Sequence, residues 1–257
     1  MLPGWDAGAL LEEVLVPPRR AFVPLPGLRV VERPGWLQLV TPWARDGGLN
    51  EVSLSVLGAG EADAVIDATI AEYRSLGVSF RWSVAPGSAP ADLGERLAAR
   101  GLTPRFVVGM ARLTRDVPEA ASAAIEVVEV GRDRVDEFTR VAALGWDCDP
   151  EPLARVNRAG VEQPEAGMHL YLASLEGRPV AAAACKLFRR SAYLLGGVVL
   201  PEGRRQGLYR ALVNARLRDA AARGIELATS HAYEHTSAPL LARLGFVPVC
   251  RFALYLG

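Results

Sequence analysis

The residue types best suited to chemistry fall in one run, from Tyr193 to Leu212. An apolar stretch ends in a turn at Pro201-Glu202-Gly203, and Arg204, Arg205 and Arg210 then crowd the head of a helical pattern without a single acid. Helix dipoles make an N-terminus positive, so each cation there is unfavourable by roughly 0.3–1 kcal/mol. A bound anion reverses that sign. Free N–H groups at a helix head, with Gly207 letting the backbone come close, suit a phosphate or diphosphate. The plain alternative is a solvated arginine cluster, in a chain where every cation except Lys186 is arginine.

Other candidates surround this run. Gly196-Gly197 fits a bulged strand that a ligand approaches closely, or one packed against a bulky neighbour. His231-Ala232-Tyr233-Glu234-His235 groups two of the three histidines with a phenol and a carboxylate. Histidine suits proton transfer near neutral pH, and a hydrogen-bonded loop would look the same. Trp146-Asp147-Cys148-Asp149-Pro150-Glu151 offers acids that could hold an ammonium group or act as base through water, although Asp149-Pro150 also reads as a helix cap. Cys148, Cys185 and Cys250 lie far apart with no ligand spacing, so buried thiols and no metal site are expected.

These residues need elements to hold them. Helical stretches end at Gly77, Gly101, Gly224 and Gly245, each followed at once by a β-rich stretch, which is the punctuation of a mixed fold. Both glycine pairs enclose Ser-Ala-Pro (Ser88-Ala89-Pro90 and Ser237-Ala238-Pro239), read as a helix cap with Pro in the first turn, and suggest a weak internal duplication. Periodicity predicts helices at 5–15, 61–76, 90–100, 133–145, 151–158, 204–223 and 237–244. Strands are expected at 36–42, 51–57, 78–84, 104–113, 125–130, 169–175, 179–188, 192–200, 225–231 and 246–256. The polar stretch 115–122 reads as a link, which divides the chain into 1–118 and 123–257. The first half's counterpart of the arginine run is Ser55 to Asp63, where Gly58 and Gly60 lead into acids that repel phosphate.

The chain has 257 residues, 50% hydrophobic and 23% charged, with 29 cationic and 29 acidic side chains. Zero net charge argues against a nucleic-acid partner. No apolar run is long enough to span a membrane. Acids at Asp6, Glu12 and Glu13 do not fit a signal peptide, so a cytoplasmic protein is expected.

The run at 199–209 resembles the acyl-CoA-binding motif of the GNAT superfamily of N-acyltransferases. That motif is (Arg/Gln)-x-x-Gly-x-(Gly/Ala) after a strand ending in Val-x-Pro; here it stands as Val199-Leu200-Pro201 and Arg204-x-x-Gly207-x-Tyr209. A long helix to Gly224, a further strand and Leu244-Gly245-Phe246 before the last strand extend the likeness over about residues 125–257. The resemblance implies an α/β (α+β) protein of two GNAT-like domains. Each would be a twisted mixed, mainly antiparallel sheet flanked by helices, and the N-terminal copy would be degenerate. It implies acetyl-CoA (coenzyme A) as cofactor, touched by Val198, Val199, Arg204, Arg205, Gln206, Gly207, Leu208, Tyr209, Arg210 and Ser237. The diphosphate would rest on the N–H groups of Arg205 to Tyr209. The pantetheine arm would enter a wedge between strands 192–200 and 225–231, and the N–H near Val199 would polarise the thioester carbonyl. Trp146, Asp147, Asp149, Gly196 and Gly197 would line the acceptor pocket, with His231 and Tyr233 handling protons. The implied reaction is acetyl transfer to a primary amine of a small molecule by direct attack in a ternary complex. The partner is thus a small-molecule amine, with neither nucleic acid nor membrane, on a monomer or homodimer. A non-catalytic acyl-CoA-binding or regulatory module is the rival. Two departures stand out. Tyr209 replaces the second small residue and is expected to crowd the loop. Leu241 stands where many members carry the tyrosine that protonates the leaving thiolate.

Overall fold

The structure, a computed structural model, describes residues 2–45, 48–118 and 124–257. Residues 119–122 of the expected link, and 123, lie outside them. In chain order the elements are α1 (Ala7–Leu15), β1 (Arg29–Arg33), β2 (Trp36–Val40), β3 (Glu51–Ser55), α2 (Ala62–Leu76), β4 (Arg81–Val84), α3 (Leu93–Ala99) and β5 (Thr103–Leu113). There follow β6 (Ile125–Glu129), α4 (Val135–Trp146), α5 (Pro150–Glu162), β7 (Met168–Leu175), β8 (Arg178–Leu187), β9 (Ser191–Val199), α6 (Leu208–Ala222), β10 (Leu227–Tyr233), α7 (Ser237–Arg243) and β11 (Val247–Leu256).

Two compact units form, and neither follows the linear division at 118–123. The first comprises Met1–Pro24, Met110–His231 and Ala242–Val247; the second comprises Leu25–Gly109, Ala232–Leu241 and Pro248–Gly257. Hydrogen bonds explain why the N-terminal segment belongs with the first unit. Ser191 Oγ donates to Glu13 at 2.7 Å, His231 Nε2 lies 2.7 Å from the Val14 carbonyl, and Lys186 Nζ donates to the Phe22 carbonyl at 3.0 Å.

In the first unit β6, β7, β8 and β9 pair antiparallel in sequence order, and β10 lies parallel to β9. The parallel step needs a crossover, which α6 provides. Leu208, Leu212, Val213 and Leu217 give that helix its buried face. In the second unit β1–β2 and β2–β3 are antiparallel, β3–β4 is parallel with α2 as crossover, and β11 closes on β4 antiparallel. Ile66, Ile70 and Tyr73 of α2 are buried as their spacing predicts, with Tyr73 stacked on Phe80 at 4.5 Å and donating to the Leu39 carbonyl. Gly77, at φ 65°, closes α2 in the left-handed conformation.

The duplication is visible as two β–α–β steps, β3–α2–β4 and β9–α6–β10. Its Ser-Ala-Pro signature is not equivalent in the two copies. Ser237 opens α7, whereas Ser88 Oγ accepts from Ala85 N in a turn and α3 starts only at Leu93. The sequence reading missed β1, and placed the head of α6 four residues too early. Arg204 to Gly207 are a loop, with Gly207 as N-cap. Among the described residues no helix is long and apolar enough to cross a membrane.

Candidate active site

The loop before α6 is shaped by two left-handed residues. Arg205 has φ 63° and Gly207 φ 92°. A non-glycine residue there costs about 1–2 kcal/mol, and such strain clusters at ligand clamps. No side chain caps α6, and no acid lies in its first turn. Among the described residues the N–H groups from Arg205 to Arg210 donate to no backbone carbonyl; the first loop-to-helix bond is Ala211 N to Gly207 O. Arg204, Arg205 and Arg210 are exposed, and within the described residues none of them is ion-paired. Arg204 Nε reaches only the Val199 carbonyl, at 3.3 Å. A row of undirected amide donors ringed by uncompensated guanidinium groups could hold an anion.

Next to it, β9 leaves β10. Their pairing covers only Ser191 to Tyr193 against Leu227 to Thr229. One step on, the Ser230 hydroxyl donates to the Leu194 carbonyl at 2.8 Å, and beyond that β9 bulges. Ala182 faces Val198 while Ala184 faces Leu195, so Gly196 and Gly197 stand opposite Ala183 alone. Gly196 sits at φ 62°. Both features expected at 192–200, bulge and splay, are thus present. At the apex of the wedge, the Thr229 hydroxyl is buried, with no hydrogen-bond partner among the described residues.

Both faces of the bulge are close-packed. On one, a side chain at Gly197 would meet Tyr209 Cε2 at 3.2 Å. Tyr209 therefore lies across β9, and does not crowd the loop. On the other face, a side chain at Gly145 of α4 would come within 2.1 Å of Val198 Cγ2. Successive strand residues point to opposite faces, so α4 and α6 clamp β9 from two sides. The sequence reading missed Gly145; its only signal was a glycine inside an otherwise continuous helical pattern.

The acceptor candidates sit where α4 ends. Trp146 is 50% exposed. Asp147 terminates the helix at φ 51°, and Asp149 Oδ1 accepts from Glu151 N at 2.9 Å as the N-cap of α5. The cap reading of Asp149 therefore holds, with its second carboxylate oxygen not used in the cap.

His231 is half-buried, with Tyr193 edge-on at 5.1 Å. Donation from Nε2 to the Val14 carbonyl puts the basic lone pair on Nδ1. Tyr233 and Ser237 belong to the second unit, where the Ser237 hydroxyl accepts from Tyr233 N at 2.9 Å. Tyr233 is exposed, and Leu241 is fully buried. Glu234 is held below the usual carboxylate range by its bidentate bond to Arg251.

The second unit fills its own version of the site. Gly58 N donates to the Glu61 carboxylate, so the position of an anion is taken by a side chain. Trp82 of β4 donates Nε1–H to Ser55 Oγ of β3 at 2.9 Å, plugging the space between the parallel strands. One cluster was not anticipated. Glu129, His169 and Asp219 bring ligand-type atoms within 4.8 Å of one another. Arg223 bonds both carboxylates, so one guanidinium offsets part of their charge within the protein.

Comparison with known proteins agrees with this geometry. Residues 132–246 match the model of the Acetyltransferase (GNAT) family. A GCN5-related N-acetyltransferase from Kribbella flavida shares the fold at TM-score 0.64 and 19% identity, over 97% of this chain and 93% of that one. A tandem GNAT protein from the clavulanic acid biosynthesis pathway aligns at TM-score 0.61 and 16% identity, over 91% and 84%. A functionally unknown conserved protein from Staphylococcus epidermidis ATCC 12228 gives TM-score 0.67 and 13% identity, over 91% and 94%. Among curated proteins no sequence match was found. The chain therefore has a mixed α/β fold of tandem GNAT type.

Proposed function

We propose that the protein is an N-acetyltransferase that moves an acetyl group from acetyl-CoA to a primary amine of a small molecule. The observation that carries this reading is the set of amides from Arg205 to Arg210 without acceptors, beside a strand pair that opens at its end. The residues fit the cofactor. The amides and Arg204, Arg205 and Arg210 would hold its diphosphate. Gln206, Leu208, Val198 and Val199 would border the arm, and the orphaned Thr229 hydroxyl offers it a polar partner. When bound, the cofactor supplies an activated acyl group. The protein's part is to fix that group against β9, where an N–H near Val199 polarises the carbonyl, and to keep water out. Trp146 gives the acceptor an apolar wall, while Asp147 and Asp149 attract its ammonium form. His231 Nδ1 is the base that takes the ammonium proton, so that a neutral amine attacks. We place the protein in the cytoplasm, as a monomer or homodimer.

The test is thiol release from acetyl-CoA across a panel of primary amines, with acetylated product identified by mass. Activity on at least one amine, reduced about 100-fold in His231→Ala, is expected. Thermal stabilisation by coenzyme A without turnover on any amine would establish the binding-module alternative instead.

A further inference from the structure

The face that α6 turns to the sheet is apolar at Leu208, Leu212, Val213 and Leu217, yet it also carries Arg216, 2% exposed. Among the described residues this guanidinium has no carboxylate partner. A buried cation without a counter-ion is costly. What surrounds it is a set of carbonyls. Nε donates to the Leu212 carbonyl of its own helix at 3.0 Å. Nη1 donates to the Ala184 carbonyl of β8 at 3.0 Å and to the Leu195 carbonyl of β9 at 3.4 Å.

The place of those two strand acceptors matters. Ala184 and Leu195 face each other as the last pair of β8 and β9 before the bulge. Beyond them Gly196 and Gly197 stand opposite Ala183 alone, so the ladder is interrupted and its polar groups need other partners. Two side chains supply them. Ser230 of β10 donates to the Leu194 carbonyl at 2.8 Å, and Arg216 of α6 to the Leu195 carbonyl. Gly197 completes the contact. A side chain there would lie 3.2 Å from Tyr209 Cε2 and 3.9 Å from Arg216 Nη2, so α6 packs on the bare backbone of the bulge. Tyr209 and Arg216 are about two helical turns apart and so share one face of α6.

The head of α6 bears the amides assigned above to the diphosphate, and the strand just past the bulge bears the N–H near Val199 assigned to the carbonyl. Arg216 ties the one element to the other. We infer that Arg216 is a positioning residue for acyl transfer, locking the β9 bulge to α6 so that the carbonyl-polarising N–H keeps a fixed place relative to the diphosphate amides. This rests on the acyl-transfer reading above. A cofactor anchored by its diphosphate carries its acyl group at the far end of a long arm, where a misplacement of about 1 Å costs about 100-fold in rate. A planar guanidinium can serve a helix carbonyl and two strand carbonyls at once in one fixed geometry, which neither an apolar side chain nor an ammonium group does.

The test is Arg216→Met in the full chain. Methionine fills a similar volume, and because no carboxylate pairs with Arg216, the change orphans no buried charge. With thiol release as the assay, kcat is expected to fall about 100-fold. KM for acetyl-CoA and calorimetric affinity for coenzyme A should stay within about threefold, since residues 205–210 are untouched. A merely structural arginine would lower the melting temperature without changing how the bound carbonyl is held. The infrared stretch of acetyl-CoA isotopically labelled at its thioester carbonyl separates the two roles. Bound to the unmodified protein it should lie below its value free in solution, and in Arg216→Met it should return towards that value. Arg216→Lys restores the charge but not the fork, and should be intermediate in both kcat and frequency; it carries the test if Arg216→Met does not fold. A carbonyl stretch the same as in the unmodified protein, an undiminished kcat, or a loss of coenzyme A affinity as large as the loss of kcat overturns the assignment while acyl transfer stands. If the unmodified protein releases no thiol with any amine, the acyl-transfer reading falls, and this role with it.

Discussion

Gly145 has the tightest surroundings of the glycines around the bulge. Its hydrogen stands where a methyl would press 2.1 Å from Val198 Cγ2. Gly145→Ala should therefore push α4 off β9 and destabilise the protein by about 1–3 kcal/mol, read from the denaturant midpoint. An unchanged midpoint would mean the close approach is not needed. Cys185 makes a second residue-level test. Burial pushes its thiol up to about 12, from an ordinary value of 9.0. Between those values the unfolded thiol ionises while the folded one stays protonated, so its contribution to stability is intact below pH 9 and is lost as pH rises towards 12. Buried Tyr73 and Tyr171, also raised by burial, act in the same direction at higher pH. Stability measured from pH 8 upward should fall accordingly, and native Cys185 should resist alkylation at pH 8. Prompt labelling would contradict its burial. Residue types were readable from the sequence here, but contacts were not. Nothing in the order of residues says that Tyr209 lies on Gly197, because that contact depends on how α6 packs across β9.

At the level of elements, the loop from Arg204 to Gly207 decides whether α6 has a usable head. Gly207 combines φ 92° with the N-cap position. Gly207→Glu would strain the backbone and add an acid where donors converge. Coenzyme A affinity should drop at least tenfold by calorimetry, about 1.4 kcal/mol or more. Retained affinity would show that the ligand does not use this loop. The motif and the bulge were legible because Arg-x-x-Gly and the glycine pair are local signals, while the splay was only what the resemblance implied. The true start of α6 was not: Arg and Gln are good helix formers, so the pattern ran smoothly through a loop set by φ at Arg205 and Gly207. The charged strand β1 escaped notice because its burial is slight and little alternation marks it.

For the molecule as a whole, the two units trade chain segments that a linear reading keeps apart. Residues 1–24 complete the first unit, and β11 completes the other. Hydrophobic patterning carries no address for such exchange, since α1 would be amphipathic against either unit. A fragment containing only 123–257 should therefore melt well below the full chain, or fail to fold, as judged by circular dichroism; an equally stable fragment would contradict the exchange. With Glu61 bonded to Gly58 N and Trp82 to Ser55 in the second unit, no more than one coenzyme A per chain is expected, read as calorimetric stoichiometry; two would contradict the proposal. The decisive measurement is a crystal structure of the full chain with coenzyme A. Diphosphate oxygens should lie within about 3 Å of amides between Arg205 and Arg210, with the arm between β9 and β10. Density for the diphosphate anywhere else, or none at saturating ligand, would refute the cradle and the activity derived from it.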